Sequence, residues 1–196
     1  MTQRLFLAAL LTASASAQDT GLYAPAPPAN SAFVRVLNAP AATLGPQNVS
    51  AKSGAASPYV VIPQGTLSVK LGPVSGKLKV EAGKFYSVFS AGGKLLLLSD
   101  QAAESRAKAL LTVYNLSQHP SLDLKTADGK TTVLTGIKMN SSASRAVNGI
   151  TVDLAAFVGA KSVGTVRGVK LERGDTYALV VTDSGLTVTQ STTKLK

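Results

Sequence analysis

The chain of 196 residues has no cysteine, no tryptophan, one histidine and only ten acids against twenty bases. Without cysteine there are no disulfides, no thiolate metal ligands and no cysteine nucleophile, so stability must come from packed cores. One histidine cannot build a zinc site, and acids this thinly spread form no cage for a hard cation. No metal or other cofactor is expected. With no tryptophan and only five tyrosines, a sugar-stacking platform would require Tyr23, Tyr59 or Tyr114 to gather in space. Long apolar runs are missing as well: Leu5 to Leu11 is too short to span a bilayer as a helix, and no later stretch does better. The bases occur singly, and no aromatic RNA-binding signature accompanies them, which argues against nucleic acid.

What is present begins with an export pattern. Arg4, the run Leu5 to Leu11 and the small residues Ala15-Ser16-Ala17 read as a signal peptide over residues 1–17, so a periplasmic mature chain starting at Gln18 is expected. Residues 18–30 form a proline-rich lead. Proline fixes an extended backbone and removes a hydrogen-bond donor, so this lead cannot build a core of its own. It either packs on its own first domain or docks on a partner, with Leu22 and Tyr23 as the apolar anchors.

An internal repeat organises the rest. Val34-Arg35-Val36-Leu37-Asn38 aligns with Leu111-Thr112-Val113-Tyr114-Asn115 at an offset of 77. Lys79-Val80-Glu81-Ala82-Gly83-Lys84-Phe85-Tyr86 aligns with Lys170-Leu171-Glu172-Arg173-Gly174-Asp175-Thr176-Tyr177 at an offset of 91. The second copy therefore carries about fourteen extra residues. Alternation within each copy has the strand period: Val34 and Val36 share one face, Arg35 and Leu37 the other. Gly-Gly at 92–93, Asp-Gly at 128–129 and Ser-Gly at 184–185 supply tight turns. These features predict an all-β chain of two tandem small antiparallel β-sandwich domains, immunoglobulin-like or jelly-roll-like, over 31–99 and 110–196. A short linker at 100–109 is expected between them, with a brief helix over Gln101 to Ala109 capped by Ser99 or Asp100 and serving as a hinge. The repeated Glu-x-Gly-x-x-Tyr (Glu81, Gly83, Tyr86 and Glu172, Gly174, Tyr177) fits a structural corner whose tyrosine packs inward with its hydroxyl tied to backbone.

No catalytic machinery stands out. His119 could act as general base for Ser117 or Ser121 with Asp123 orienting it. It lies instead in a turn sequence, "NLSQHPSLDL", and no Gly-x-Ser-x-Gly elbow accompanies it. A charge-based groove for an anionic polysaccharide could draw on Arg35, Lys52, Lys70, Lys77, Lys79 and Lys84. Lysine on solvent-facing strand positions also guards sheet edges against aggregation, and that reading accounts for the same residues.

The segment "GLYAPAPPANSAFVRVLNA" (21–39), with "GKFYSVFS" and "LLTVYNLS" further on, resembles the AlgF family of alginate O-acetylation proteins. The resemblance implies a periplasmic accessory or adaptor subunit for O-acetylation of a secreted exopolysaccharide. Its implied partners are a membrane-bound O-acyltransferase and periplasmic polysaccharide O-acetyltransferases. It supplies no catalytic residues. A non-catalytic module binding an anionic polysaccharide is the alternative, and an enzyme with its own acyl-transfer site is the third reading.

Overall fold

The computed structural model describes residues 26–191. The expected signal segment and most of the proline-rich lead, with Leu22 and Tyr23, lie outside the described residues. The first domain consists of β1 (Ser31–Val36), β2 (Ala42–Leu44), β3 (Gln47–Val49), β4 (Val60–Pro63), β5 (Gly65–Leu71), β6 (Val74–Val80), β7 (Phe85–Ala91) and β8 (Lys94–Asp100). The second consists of β9 (Ala109–Asn115), β10 (Ser121–Thr126), β11 (Thr132–Lys138), β12 (Ser141–Val147), β13 (Thr151–Val158), β14 (Lys161–Lys170), β15 (Thr176–Thr182) and β16 (Gly185–Ser191).

Each domain is a sandwich of two four-stranded sheets, and the two have the same topology. The first has sheets in the order β4-β1-β7-β8 and β3-β2-β5-β6, and the second has β12-β9-β15-β16 and β11-β10-β13-β14. Adding eight to every strand number of the first domain reproduces the second. Pairing is antiparallel except for one central parallel pair in each domain, β1 with β7 and β9 with β15. The two repeat offsets meet in that pair: Val34 lies opposite Tyr86, and Leu111 opposite Tyr177. The extra residues of the second copy lengthen strands, since β2, β3 and β4 have 3, 3 and 4 residues where β10, β11 and β12 have 6, 7 and 7.

Among the described residues, three apolar clusters hold the fold together. One fills each sandwich, with Val34, Val36, Leu67, Val69 and Val88 in the first and Leu111, Val113, Leu124, Leu154 and Leu179 in the second. The third joins the domains, with Leu37 and Phe89 from one packed against Tyr114, Ala178 and Val180 from the other. The sheets containing β1 and β9 are therefore covered on both faces. That is why β9 is buried at every position and reads as a continuous apolar run rather than an alternating one.

The predicted helix over Gln101 to Ala109 does not form. Strand β8 runs through Asp100, residues 101–105 are irregular, and β9 begins at Ala109. Ser99 and Asp100 end a strand rather than cap a helix, because pairing across β7 from Phe85 to Ala91 holds β8 extended. The turn glycines adopt the positive φ that their positions require, 56° and 73° at Gly92 and Gly93 and 74° at Gly129.

Candidate functional site

Arg35 lies on the face of β1 opposite Val34 and Val36, and that face meets the second domain. It is only 3% exposed. Its Nε donates to Ser87 Oγ at 2.9 Å, and its Nη2 donates to Tyr114 Oη at 2.6 Å. Asp100 sits beside it, with Nε 3.8 Å from Oδ2 and the carboxylate side chain 1% exposed. Three hydroxyls donate to that carboxylate: Tyr59 at 2.6 Å, Ser87 at 2.6 Å and Tyr114 at 2.5 Å. The guanidinium also lies 4.4 Å from the Tyr59 ring centroid and 5.3 Å from that of Tyr114.

The electrostatics of this cluster are self-consistent. Burial raises the Tyr59 and Tyr114 phenols well above the usual tyrosine range, against the opposing pull of Arg35, so both remain protonated donors. Burial also disfavours the Arg35 charge, but the facing Tyr114, Tyr59 and Asp100 outweigh it and its pKa is raised. A buried ion pair with its oxygens and nitrogens satisfied in this way fixes geometry, and removing one member leaves a charge stranded. The first domain supplies Arg35, Tyr59, Ser87 and Asp100, and the second supplies Tyr114. The segment expected to act as a hinge thus starts at an anchor between the domains. A second tie lies elsewhere in the interface, where Thr187 Oγ1 donates to the Gly54 carbonyl and the Ala56 amide lies 3.4 Å from Thr189 Oγ1.

Tyr59 and Tyr114 do come together, but around a buried guanidinium. Tyr114 is fully buried, so the pair offers no platform for a sugar ring. Arg35 likewise leaves the set of surface cations proposed for a polyanion, since its charge is spent on Asp100, a partner far downstream that no local pattern indicates. Beside the cluster lies a cleft of about 360 Å³ between the domains, with Tyr59, Arg106, Thr112, Arg173 and Tyr177 in its walls and no acid among its lining residues.

The repeated corners have one geometry. The Gly83 and Gly174 amides donate to the Ser31 and Lys108 carbonyls at 2.8 and 3.0 Å, and both glycines have positive φ, 71° and 81°. Tyr177 Oη accepts from the Glu172 amide at 2.8 Å and donates to the Lys170 carbonyl at 3.0 Å. Tyr86 Oη accepts from the Glu81 amide at 3.4 Å. In both copies the acid of the motif contributes its backbone to this contact.

The loop at His119 is tied down. Ser117 is 1% exposed and its Oγ donates to Asn115 Oδ1 at 2.7 Å, while the His119 amide donates to Ser117 Oγ at 3.3 Å. Asn115 Nδ2 donates to the His119 carbonyl at 3.0 Å. Asp123 accepts from the Gly136 amide at 2.9 Å and faces Lys125 at 3.5 Å. Ser117 and Asp123 are thus committed to turn and backbone contacts, whereas Ser121, the other serine considered, is exposed at the start of β10. Among the described residues no group of three or more potential metal ligands gathers.

The remaining lysines separate into two groups. Lys70, Lys77 and Lys79 share the outer face of the sheet β3-β2-β5-β6, whereas Lys52 lies in the loop between β3 and β4 and Lys84 in the corner before β7.

Comparison with known proteins extends over nearly the whole chain. Residues 4–178 match the family model described as alginate O-acetyl transferase AlgF. The alginate biosynthesis protein AlgF of Pseudomonas syringae pv. tomato is 38% identical over 94% of this chain and 88% of its own length. The proteins of the same description from Pseudomonas fluorescens and Pseudomonas aeruginosa are 37% and 35% identical, over 91% and 88% of this chain and 85% and 82% of their own lengths. A solved structure of the C-terminal domain of AlgF from P. aeruginosa shares 41% identity over 43% of this chain and 96% of its own, with a TM-score of 0.37. With this coverage and identity, the chain belongs to the AlgF family.

Proposed function

We propose that the protein is a non-catalytic accessory subunit for O-acetylation of a secreted exopolysaccharide, alginate or a related polymer. In this reading it works in the periplasm beside a membrane-bound O-acyltransferase and periplasmic acetyltransferases. Membership of a family described by alginate biosynthesis supports the process. The observation that carries the non-catalytic part is the turn at His119, where Ser117 Oγ is buried and bonded to Asn115 rather than presented to a substrate. An acyl-transfer nucleophile must be exposed and poised against its base. Leu22 and Tyr23 of the proline-rich lead are the proposed anchors on a partner protein.

The test is genetic and chemical. Deleting the gene should remove ester-linked acetate from the secreted polysaccharide with polymer yield unchanged, and a His119→Ala copy should restore it fully. Unchanged acetate in the deletion strain would overturn the process assignment. Failure of His119→Ala to restore acetate, with the protein folded and exported, would overturn the non-catalytic one.

A further inference from the structure

The chain contains six asparagines, and one of them, Asn148, is followed by glycine. Asparagine is among the chemically labile residues, because the backbone nitrogen of the next residue can attack its side-chain carbonyl and close a five-membered ring. The attack needs an uncrowded nitrogen without a hydrogen bond and a side-chain amide free to turn toward it. Glycine removes the crowding, since it has no Cβ.

The fold meets these conditions at Asn148. β12 ends at Val147 and β13 begins at Thr151, so Asn148 and Gly149 lie in the turn between them, outside both ladders. Asn148 is exposed. Among the described residues its side chain makes no hydrogen bond, and the Gly149 amide donates to no backbone carbonyl. The turn is held one residue on, where the Ile150 carbonyl accepts from the Leu171 amide at 2.8 Å. Packing also asks for the glycine, because a Cβ at Gly149 would stand 3.0 Å from Arg173 Cγ and 3.2 Å from the Leu171 carbonyl oxygen. The fold thus places the least hindered nitrogen directly after an exposed asparagine.

Each of the other asparagines lacks at least one condition. Asn38 Oδ1 accepts from the Gly54 amide at 2.7 Å, and Asn115 Nδ2 donates to the His119 and Ile137 carbonyls. Asn30 precedes Ser31, whose amide donates to the Pro28 carbonyl at 3.0 Å. Asn48 lies within β3 and is followed by the β-branched Val49. Asn140 precedes Ser141, which has a Cβ and opens the ladder of β12 with β9.

We propose that Asn148 is a site of spontaneous deamidation. Hydroxide removes the Gly149 amide proton, the nitrogen bonds to Asn148 Cγ, and the side-chain nitrogen leaves as ammonia. Water then opens the cyclic imide at either carbonyl. The product is aspartate at position 148, or isoaspartate, in which the backbone runs through the former side chain. Nothing is oxidised or reduced in these steps. The new carboxylate arrives at a groove of about 350 Å³ at this end of the second sandwich, which Asn148 lines together with Lys108, Arg145 and Ile150. An uncharged side chain there becomes an anion beside two cations, and the protein acquires a more acidic form with time. The proposal does not depend on the accessory role, because the purified protein alone reports it.

The test incubates the purified mature chain in mildly alkaline buffer, native and in urea, and maps its peptides by mass spectrometry. In the native chain acid should accumulate at position 148 about tenfold faster or more than at any other asparagine. The rate should rise in proportion to hydroxide, isoaspartate should appear among the products, and the native rate should stay within about tenfold of that in urea. N148Q, which could close only a six-membered ring, should fold as the parent does and keep its charge in isoelectric focusing. Conversion in urea but not in the native chain would mean that the turn protects the site, and would overturn the proposal. So would equally fast conversion at another asparagine, acidification of N148Q at the parent's rate, or aspartate without isoaspartate, which is the signature of direct hydrolysis rather than ring closure.

Discussion

The two domains share one topology strand for strand, yet they use equivalent positions differently. Arg35 in the first corresponds to Thr112 in the second, Ser87 to Ala178, and Asp100 to Ser191. The first trio forms a buried charged network reaching across the domain interface. In the second, Thr112 shares a 2.9 Å hydrogen bond with Ser144 of the neighbouring strand, and Ser191 is a buried serine. Tyr114, equivalent to Leu37, is the residue of the second copy that completes the network of the first. Duplication built two similar inner sheets, and divergence at a few outward positions turned one into a socket and the other into its plug. The outer sheets diverged at their inner strands, where β5 presents Lys70 to solvent and β13 presents Asp153.

The sharpest way to break this comparison is to remove the charge at only one of the two equivalent positions. Arg35→Ala strands the Asp100 carboxylate in the interface and should cost about 3–5 kcal/mol of unfolding free energy. Thr112→Ala, which loses one neutral hydrogen bond, should cost about 1 kcal/mol. Denaturant titrations of the two variants check this, and equal losses would mean that the network carries no special weight.

A smaller difference is expected where the two sheets of each sandwich touch. A Cβ at Gly164 would run into the Leu186 backbone, whereas a Cβ at Gly76 would meet only the flexible end of Leu95, at 3.2 Å. Gly164→Ala should therefore destabilise by about 1–3 kcal/mol through overpacking. Gly76→Ala should stay within about 0.5 kcal/mol of the parent, the range of changes that leave packing intact. Melting temperatures rank the pair, and a larger loss at Gly76 would contradict the packing difference.

The smallest difference lies at the corners. Tyr177→Phe removes bonds to both Glu172 and Lys170 and should cost about 1 kcal/mol. Tyr86→Phe removes one long bond and should cost less than about 0.5 kcal/mol. Hydrogen exchange at the Glu81 and Glu172 amides would show the same order locally.

Much of this architecture is legible in the chain. The offsets of 77 and 91 mark equivalent residues correctly because each falls within a strand or corner whose hydrogen bonds both copies retain. The period of two locates strands such as β5, where one face is solvated. It weakens in β7, β9 and β15, where the second domain covers the face that would otherwise be polar. The predicted helix fails because alanine-rich propensity over 101–109 is a weak local preference, and β8 is already committed to its ladder with β7. At the polyanion positions the sequence lists cations without saying which are accessible. Arg35 carries the same charge as Lys70, but one is buried against Asp100 and the other faces solvent.

Composition and the repeat alone determined that this is a cysteine-free, basic, duplicated β protein, because those properties depend on residue identity and local alternation. Which lysines stand together, that Tyr114 completes a network begun by Arg35, and that residue 100 is an anchor rather than the start of a hinge were decided only in three dimensions. These depend on strand register and on the packing of one copy against the other. Both bring together residues tens of positions apart, and no local pattern encodes such a pairing.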